Sequence, residues 1–305
     1  MIDLHIHTTF SDGTDTYEEI LKKAQEKNLS YISFTDHNNC YVYRELEKID
    51  YSKYYKGKII PGIELSTTLL GVTIEILGYG VDINYINEKI HELYPYSPEE
   101  IEIIEIQRAE KLYSKAGIIL DKDVKEKYNK EKYQFSSTYL LEQIKKHTEN
   151  SKFFKNKEVC QDSLLFYRRC MKNPNSIFYI PTQDLTPTCK QVIELIRKSG
   201  GLAFAPHIYI YKENAQKILE ELVNHYKIDG VECYYSLFNE QKIEEITQYA
   251  KEHNLYMSGG TDYHGKNKPN IKLGTGIYDM HIPETILNNW INKVKYLNPQ
   301  NFVMN

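Results

Sequence analysis

At 305 residues the chain is long enough for two average domains, or for one large α/β barrel carrying an insertion. Hydrophobic residues at 41% and charged residues at 26% exclude a disordered or fibrous protein. Acidic residues outnumber basic ones by 42 to 38, and the resulting net charge of −4 speaks against an extended nucleic-acid footprint.

The opening Met1-Ile2-Asp3-Leu4-His5-Ile6-His7 carries no signal-peptide pattern, and no later stretch has the length and apolarity of a membrane span, so a cytoplasmic protein without membrane partners is expected. Residues 2–7 read as a strand, 16–27 as a helix with Thr16 as N-cap, and 31–35 as a second strand. Two more strands are predicted over 58–65, interrupted by Pro61-Gly62, and over 72–79, with a turn at Gly71 between them. From 96 to 184 the chain is charged and mostly helical in pattern, which predicts an inserted helical subdomain. The alternation returns over 185–305, with helices at 188–198, 215–226 and 239–253 and strands at 202–205, 230–234 and 255–259. Residues 1–95 and 185–305 are therefore expected to form one α/β domain around a mostly parallel sheet. Five widely spaced cysteines, without a Cys-x-x-Cys pair, predict reduced thiols rather than disulfides or a zinc-thiolate module.

Chemistry-bearing residues collect at the ends of the predicted strands. His5 and His7 are two apart on a strand, so both imidazoles face one side and can address one ion. A His-x-His pair is a weak signal by itself; position supplies the rest. Ser11-Asp12-Gly13, Thr35-Asp36-His37, Gly62-Ile63-Glu64, Pro206-His207 and Gly259-Gly260-Thr261-Asp262-Tyr263-His264-Gly265 all stand at or just after a strand, where an α/β barrel places its chemistry. His91, His147, His225 and His253 fall in helical, solvated patterns and read as ordinary surface.

With Glu64-Leu65-Ser66, Ile76-Leu77-Gly78-Tyr79-Gly80, the run 200–207, Gly230-Val231-Glu232-Cys233 and Leu273-Gly274-Thr275, these clusters resemble the polymerase and histidinol phosphatase (PHP) family of metal-dependent phosphoesterases, in its stand-alone small-substrate branch. The resemblance implies a distorted seven-stranded (β/α) barrel with two or three divalent ions at its mouth. One ion would be held by His5, His7, Glu64 and Asp262. A second would take Glu64, His207 and position 75, and a third Asp12, His37 and His264. Position 75 departs from the family, which usually has His there; Glu75 can still ligate, through a harder oxygen. The Arg-Pro-His-like motif of nucleotide-acting members is also absent, its place taken by Gln134-Phe135-Ser136-Ser137-Thr138.

The implied activity is hydrolysis of a small phosphomonoester, such as a nucleoside phosphate or a histidinol-phosphate-like compound, by hydroxide bridging paired manganese, iron or zinc ions. The alternatives are a phosphodiesterase or short-RNA exonuclease using the same residues, and a metal-binding domain without catalysis. His207 or His264, in a state where it is free of metal, would serve as leaving-group acid beside Asp262, and Asp36 would orient His37. Lys266, Arg108, Arg168 and Arg169 are the cations placed to clamp a phosphate.

Overall fold

The computed structural model describes residues 1–133 and 135–299, and these fall into two compact units, 1–93 with 187–299 and the described part of 94–186. Within the described part of the first unit, β1 (Ile2–Ile6), β2 (Tyr31–Phe34) and β3 (Lys58–Ile59) form a parallel three-stranded sheet. A five-stranded sheet contains β4 (Gly62–Leu69), β5 (Val72–Tyr79), β6 (Leu202–Ala205), β7 (Gly230–Tyr235) and β8 (Tyr256–Gly260), in that order. Its β6-β7-β8 half is parallel, whereas β4 and β5 form an antiparallel hairpin and β5 also runs antiparallel to β6.

The hairpin turn is Leu70-Gly71, both with positive φ (52° and 77°), the backbone a two-residue turn needs to match strand twist. The stretch expected as one strand over 58–65 is thus two strands in different sheets, broken at Pro61, and the second runs on to Leu69. No continuous ladder joins the two sheets among the described residues. Isolated bridges link them instead, Ile6 to Tyr263 on one side and His37 to Glu64 on the other. β8 can lie against β1 because Gly260 has no side chain; a Cβ there would stand 2.3 Å from the His5 Cβ.

Helices α1 (Tyr17–Glu26), α2 (Tyr41–Leu46) and α3 (Ile83–Leu93) belong to this unit. Thr16 and Glu19 close a reciprocal capping box on α1. The inserted unit holds α4 (Pro98–Lys115), α5 (Ser136–Lys146) and the short α6 (Ser163–Phe166), followed by a π-helical turn over Tyr167–Met171. Its own core is built from Ile106, Tyr113, Tyr139, Phe166 and Phe178 among others. Back in the first unit, α7 (Cys189–Lys198), α8 (Ala215–Asn224) and α9 (Glu240–Glu252) complete the described helices. None of the described helices is long and apolar enough to cross a membrane. All five cysteines are free.

The alternation of β1 divides its residues between two environments. Ile2 and Leu4 join a core with Leu77, Tyr79, Phe204 and Trp290, while Asp3 and His5 occupy the other face, and every residue of the strand is buried. Two buried polar groups pin the core: Tyr79 Oη donates to the Leu4 carbonyl at 3.0 Å and Trp290 Nε1 to that of Met257 at 2.9 Å.

Candidate metal centre

Glu64 is the hub of a cluster of imidazoles and carboxylates. Its Oε2 lies 3.3 Å from His5 Nε2, 3.2 Å from His7 Nε2 and 3.3 Å from His37 Nδ1, and its Oε1 is 3.1 Å from His207 Nε2. The register of the hairpin explains how Glu75 joins it. Glu75 pairs across from Ser66, which shares a face with Glu64, so the two carboxylates point the same way as diagonal neighbours. Glu75 Oε2 then stands 3.4 Å from His207 Nε2.

Asp262 approaches from the end of β8, with Oδ1 3.6 Å from His5 Nε2, 3.3 Å from His7 Nε2 and 3.3 Å from His264 Nδ1. Asp12 is 3.1 Å from His264 Nε2, 3.4 Å from His7 Nδ1 and 3.7 Å from His37 Nε2. All nine residues singled out from the sequence as ligand candidates are therefore in one contiguous cluster. His91, His147, His225 and His253 are not among the groups able to share an ion. Two of the nine sit in the left-handed backbone region, His207 (φ 27°) and Asp262 (φ 57°), where a non-glycine residue is held only by its surroundings.

The electrostatics describe a site short of positive charge. Burial raises the Glu64 carboxyl, but the neighbouring His5 and His37 and the hydrogen bond from His207 outweigh it and hold the group well below the usual range. Glu75 goes the other way, pushed up to about 7 by burial and by the charge on Glu64. Burial disfavours the charged form of His7, yet Asp262 and Glu64 beside it lift its pKa to about 9. Buried nitrogens His5 Nε2, His7 Nε2 and His37 Nδ1 face carboxylates without making a hydrogen bond. Unsatisfied donor atoms of this kind, converging from Asp, Glu and His with no Cys, are what hard to borderline divalent cations require. Three sets of donor atoms lie within 4.8 Å of one another: His5, His7 and Glu64; His37, Glu64 and Glu75; and His7, Asp12, His37 and His264. The residues fit a divalent-metal centre.

Several residues that shape the site were not singled out from the sequence. Glu232 accepts from His5 Nδ1 at 2.9 Å and from the His207 backbone N–H at 2.8 Å. A bulge in the β7–β8 pairing lies between Glu232 and Tyr234, and it lets Tyr235 also face the centre, where its hydroxyl donates to Asp262 Oδ2 at 3.0 Å. Lys268 Nζ holds the same oxygen at 2.5 Å. Tyr211 Oη accepts from the Glu75 N–H at 3.0 Å. A Lys two residues beyond the expected one, and an acid that resembles any strand-borne Glu, leave no local spacing signal.

Other expectations meet a different geometry. Lys266 is exposed, and its backbone N–H bonds Thr14 Oγ1 at 2.8 Å. Asp36 does not reach His37; it accepts from Thr8 N–H and Thr8 Oγ1, both at 2.8 Å, and from Ser11 Oγ at 2.6 Å. Arg108, Arg168 and Arg169 lie in the inserted unit. There Arg108 forms a two-bond pair with Asp184 at 2.7 and 2.6 Å, Arg169 stands 3.9 Å from Glu158, and Arg168 is exposed. Of the segment replacing the Arg-Pro-His-like motif, Gln134 is outside the described residues, and Ser136–Thr138 begin α5.

Comparison with known proteins points the same way as the donor set. The PHP domain model matches residues 3–233. The chain is 25% identical over 287 residues to the 5'-3' exoribonuclease Rnm of Escherichia coli, covering 90% of this chain and 89% of that one. It is 23% identical over 279 residues to the phosphoribosyl 1,2-cyclic phosphate 1,2-diphosphodiesterase of Eggerthella lenta, covering 87% and 94% respectively. In three dimensions it resembles a Bifidobacterium adolescentis protein provisionally designated a metal-dependent phosphoesterase, with a TM-score of 0.59, 20% identity and 96% of each chain covered.

Proposed function

Since the chain belongs to the PHP domain family and is a metal-dependent phosphoester hydrolase, we propose that its substrate is a phosphodiester borne on ribose, foremost a short RNA from which nucleotides are released one at a time. The observation that carries this reading is shared by two full-length relatives: one is named for cutting RNA and the other for opening a ribosyl cyclic phosphate, and both bonds are ribose phosphodiesters. A phosphodiester is thereby favoured over the phosphomonoester that the sequence alone suggests.

Two or three divalent ions, drawn from manganese, iron and zinc, would when bound supply an activated water and neutralise the phosphoryl charge. His5, His7, Glu64 and Asp262 would hold one, Glu64, Glu75 and His207 a second, and Asp12, His37 and His264 a third. Glu232 keeps His5 Nε2 aimed at Glu64 by accepting at Nδ1, and Lys268 with Tyr235 ties Asp262 Oδ2 so that Oδ1 faces the imidazoles. Asp12 is 53% exposed and Lys268 35%, against 1% for Glu64, so the substrate phosphate would enter on their side. Lys268, through its contact with Asp262, is a cation that adjoins the cluster. With the third site empty, His264, whose Nδ1 is engaged by the Asp262 carbonyl at 2.9 Å, would be free to deliver a proton from Nε2 to the leaving oxygen, with a metal-free His207 as the alternative. The two sheets, with their isolated bridges, are read as one distorted barrel of seven strands with β3 outside it.

A second reading, hydrolysis of small phosphomonoesters, is favoured by the net charge of −4, which suits a compact substrate. One assay separates the two. Protein loaded with each metal is given short 5'-phosphorylated RNA and, separately, nucleoside monophosphates. Mononucleotide release from RNA, lost in His5→Ala, is expected. Phosphate release from monophosphates with RNA left intact would select the second reading, and no hydrolysis of either would overturn both.

A further inference from the structure

The inserted unit carries a cavity of about 450 Å³ that has no part in the cluster above. Its wall is composite. Phe153, Phe154 and Phe178 supply aromatic surface, Lys152, Lys155 and Arg169 supply positive charge, and no carboxylate contributes to the lining. Phe154 and Phe178 are packed together at 4.8 Å between ring centroids, which fixes the aromatic floor, while Lys152 Nζ sits 5.0 Å over the Phe153 ring.

Charge is distributed unevenly in a way that favours this wall. Between residues 145 and 172 there are eight Lys and Arg but three acids, in a chain whose acids are otherwise in excess. Arg169 has Glu158 at 3.9 Å, but no described carboxylate lies within ion-pair distance of Lys152 or Lys155. Both lysines are exposed. Free cations beside a rigid aromatic face are the pairing by which proteins hold single-stranded nucleic acid, phosphate on the cation and base on the ring. The volume lies within the ordinary range for a small-ligand pocket.

We infer that this cavity is a second nucleotide-binding subsite, which takes one base of a single-stranded RNA on the Phe153–Phe154 wall and its flanking phosphates on Lys152 and Lys155. The inference rests on the short-RNA reading of the metal centre and extends it by assigning the inserted unit a binding feature of its own. It also offers a use for the aromatic and basic composition of a segment that lacks the Arg-Pro-His-like motif.

The test is fluorescence anisotropy of the metal-loaded protein with a labelled oligonucleotide made resistant to hydrolysis by 2'-O-methyl and phosphorothioate groups. Alongside it runs hydrolysis of bis(p-nitrophenyl) phosphate, a diester too small to use a second subsite. Lys152→Glu/Lys155→Glu is expected to weaken oligonucleotide binding by about tenfold or more and to flatten the plot of log K against log salt by about 1.4, the amount for two lost phosphate contacts on a single strand. Hydrolysis of the small diester should not change. Phe153→Ala should weaken binding by roughly tenfold, with Phe153→Trp restoring it, which distinguishes loss of stacking from loss of fold. Lys190→Glu/Lys217→Glu, on the other unit, should leave both readouts as they were. Unchanged affinity and salt slope in the Lys152/Lys155 variant, with hydrolysis of the small diester intact, would overturn the subsite and leave the metal-centre reading standing. A wild-type protein that hydrolyses the small diester but neither binds nor cuts RNA would overturn the RNA reading and the subsite together.

Discussion

Glu232 shows how much of the centre is decided by atoms that touch no ion. It is 1% exposed, and its two oxygens serve two buried donors, His5 Nδ1 and the His207 backbone N–H. Because the carboxylate accepts at Nδ1, a proton resides there, and Nε2, on the side of Glu64 and Asp262, is the nitrogen left to offer a lone pair to a bound ion. An amide in the same place can accept from only one of these donors, and its NH2 would then confront the other. Glu232→Gln should therefore leave one buried donor unsatisfied, at a cost of about 1–3 kcal/mol, and lower metal affinity by roughly 10- to 100-fold. Competition with a chelating indicator measures the affinity and urea unfolding in excess chelator measures the stability. Wild-type affinity in the variant would show that His5 needs no orientation.

The loop between β1 and α1 carries Asp12 to the cluster, and it is held at both ends. Asp36, at the end of β2, receives Thr8 N–H, Thr8 Oγ1 and Ser11 Oγ, while the Thr16–Glu19 capping box fixes where the loop gives way to helix. Asp36→Ala removes the acceptor for all three donors, one of them a buried main-chain N–H, and should cost about 3 kcal/mol. The urea midpoint should fall accordingly. Asp36→Asn keeps one acceptor and should lose less; equal stability of both variants with wild type would mean that water replaces the carboxylate. The contrast between the two anchors also shows what sequence could reveal. Thr16 and Glu19 are three residues apart, so their cap is a local pattern, and α1 was expected almost to its observed ends. Asp36 and Thr8 are brought together by the parallel pairing of β1 and β2, and no spacing in the chain announces it. The same division runs through the site. His5 and His7, two apart on one strand, are a weak signal alone and gain weight from the strand-end placement of His37, Glu64, His207 and Asp262, which follows from alternating strands and helices. Glu232 and Tyr235 share the centre only because a bulge re-aims the end of β7, and Lys268 only because the chain after His264 folds back. The strand expected over 58–65 ends four residues short of β4; in the added stretch Thr67 is buried, its hydroxyl donating to the Pro187 carbonyl at 2.7 Å, a contact with a residue far along the chain that no local pattern announces.

At the scale of the whole molecule the metal centre is a concentrated charge problem that folding must solve. Asp12, Glu64, Glu75 and Asp262 gather in one cluster, with Lys268 as the adjoining cation. Without divalent ions the protein compensates by taking up protons: Glu75 is raised to about 7 and His7 to about 9. In both cases the folded-state pKa lies above the unfolded one, about 4.3 for Glu and 6.5 for His. The metal-free fold therefore binds more protons than the unfolded chain between these limits. The stabilisation from Glu75 is complete below about pH 4 and lost as pH rises to about 7, and that from His7 is complete below about pH 6 and lost as pH rises to about 9. Glu64 and Asp262 are displaced downward, so their contribution is already constant over this range. Metal binding has the opposite dependence, because ions compete with those same protons and gain affinity as they leave. The difference in melting temperature between metal-loaded and chelator-treated protein should accordingly widen from pH 6 to pH 9, driven by a falling chelated curve as well as a rising loaded one. Scanning calorimetry at constant ionic strength checks both curves separately. A metal-free protein whose stability rises from pH 6 to pH 9 would mean that the cluster is not protonated in the fold, and the charge balance would then have to be met by cations other than protons.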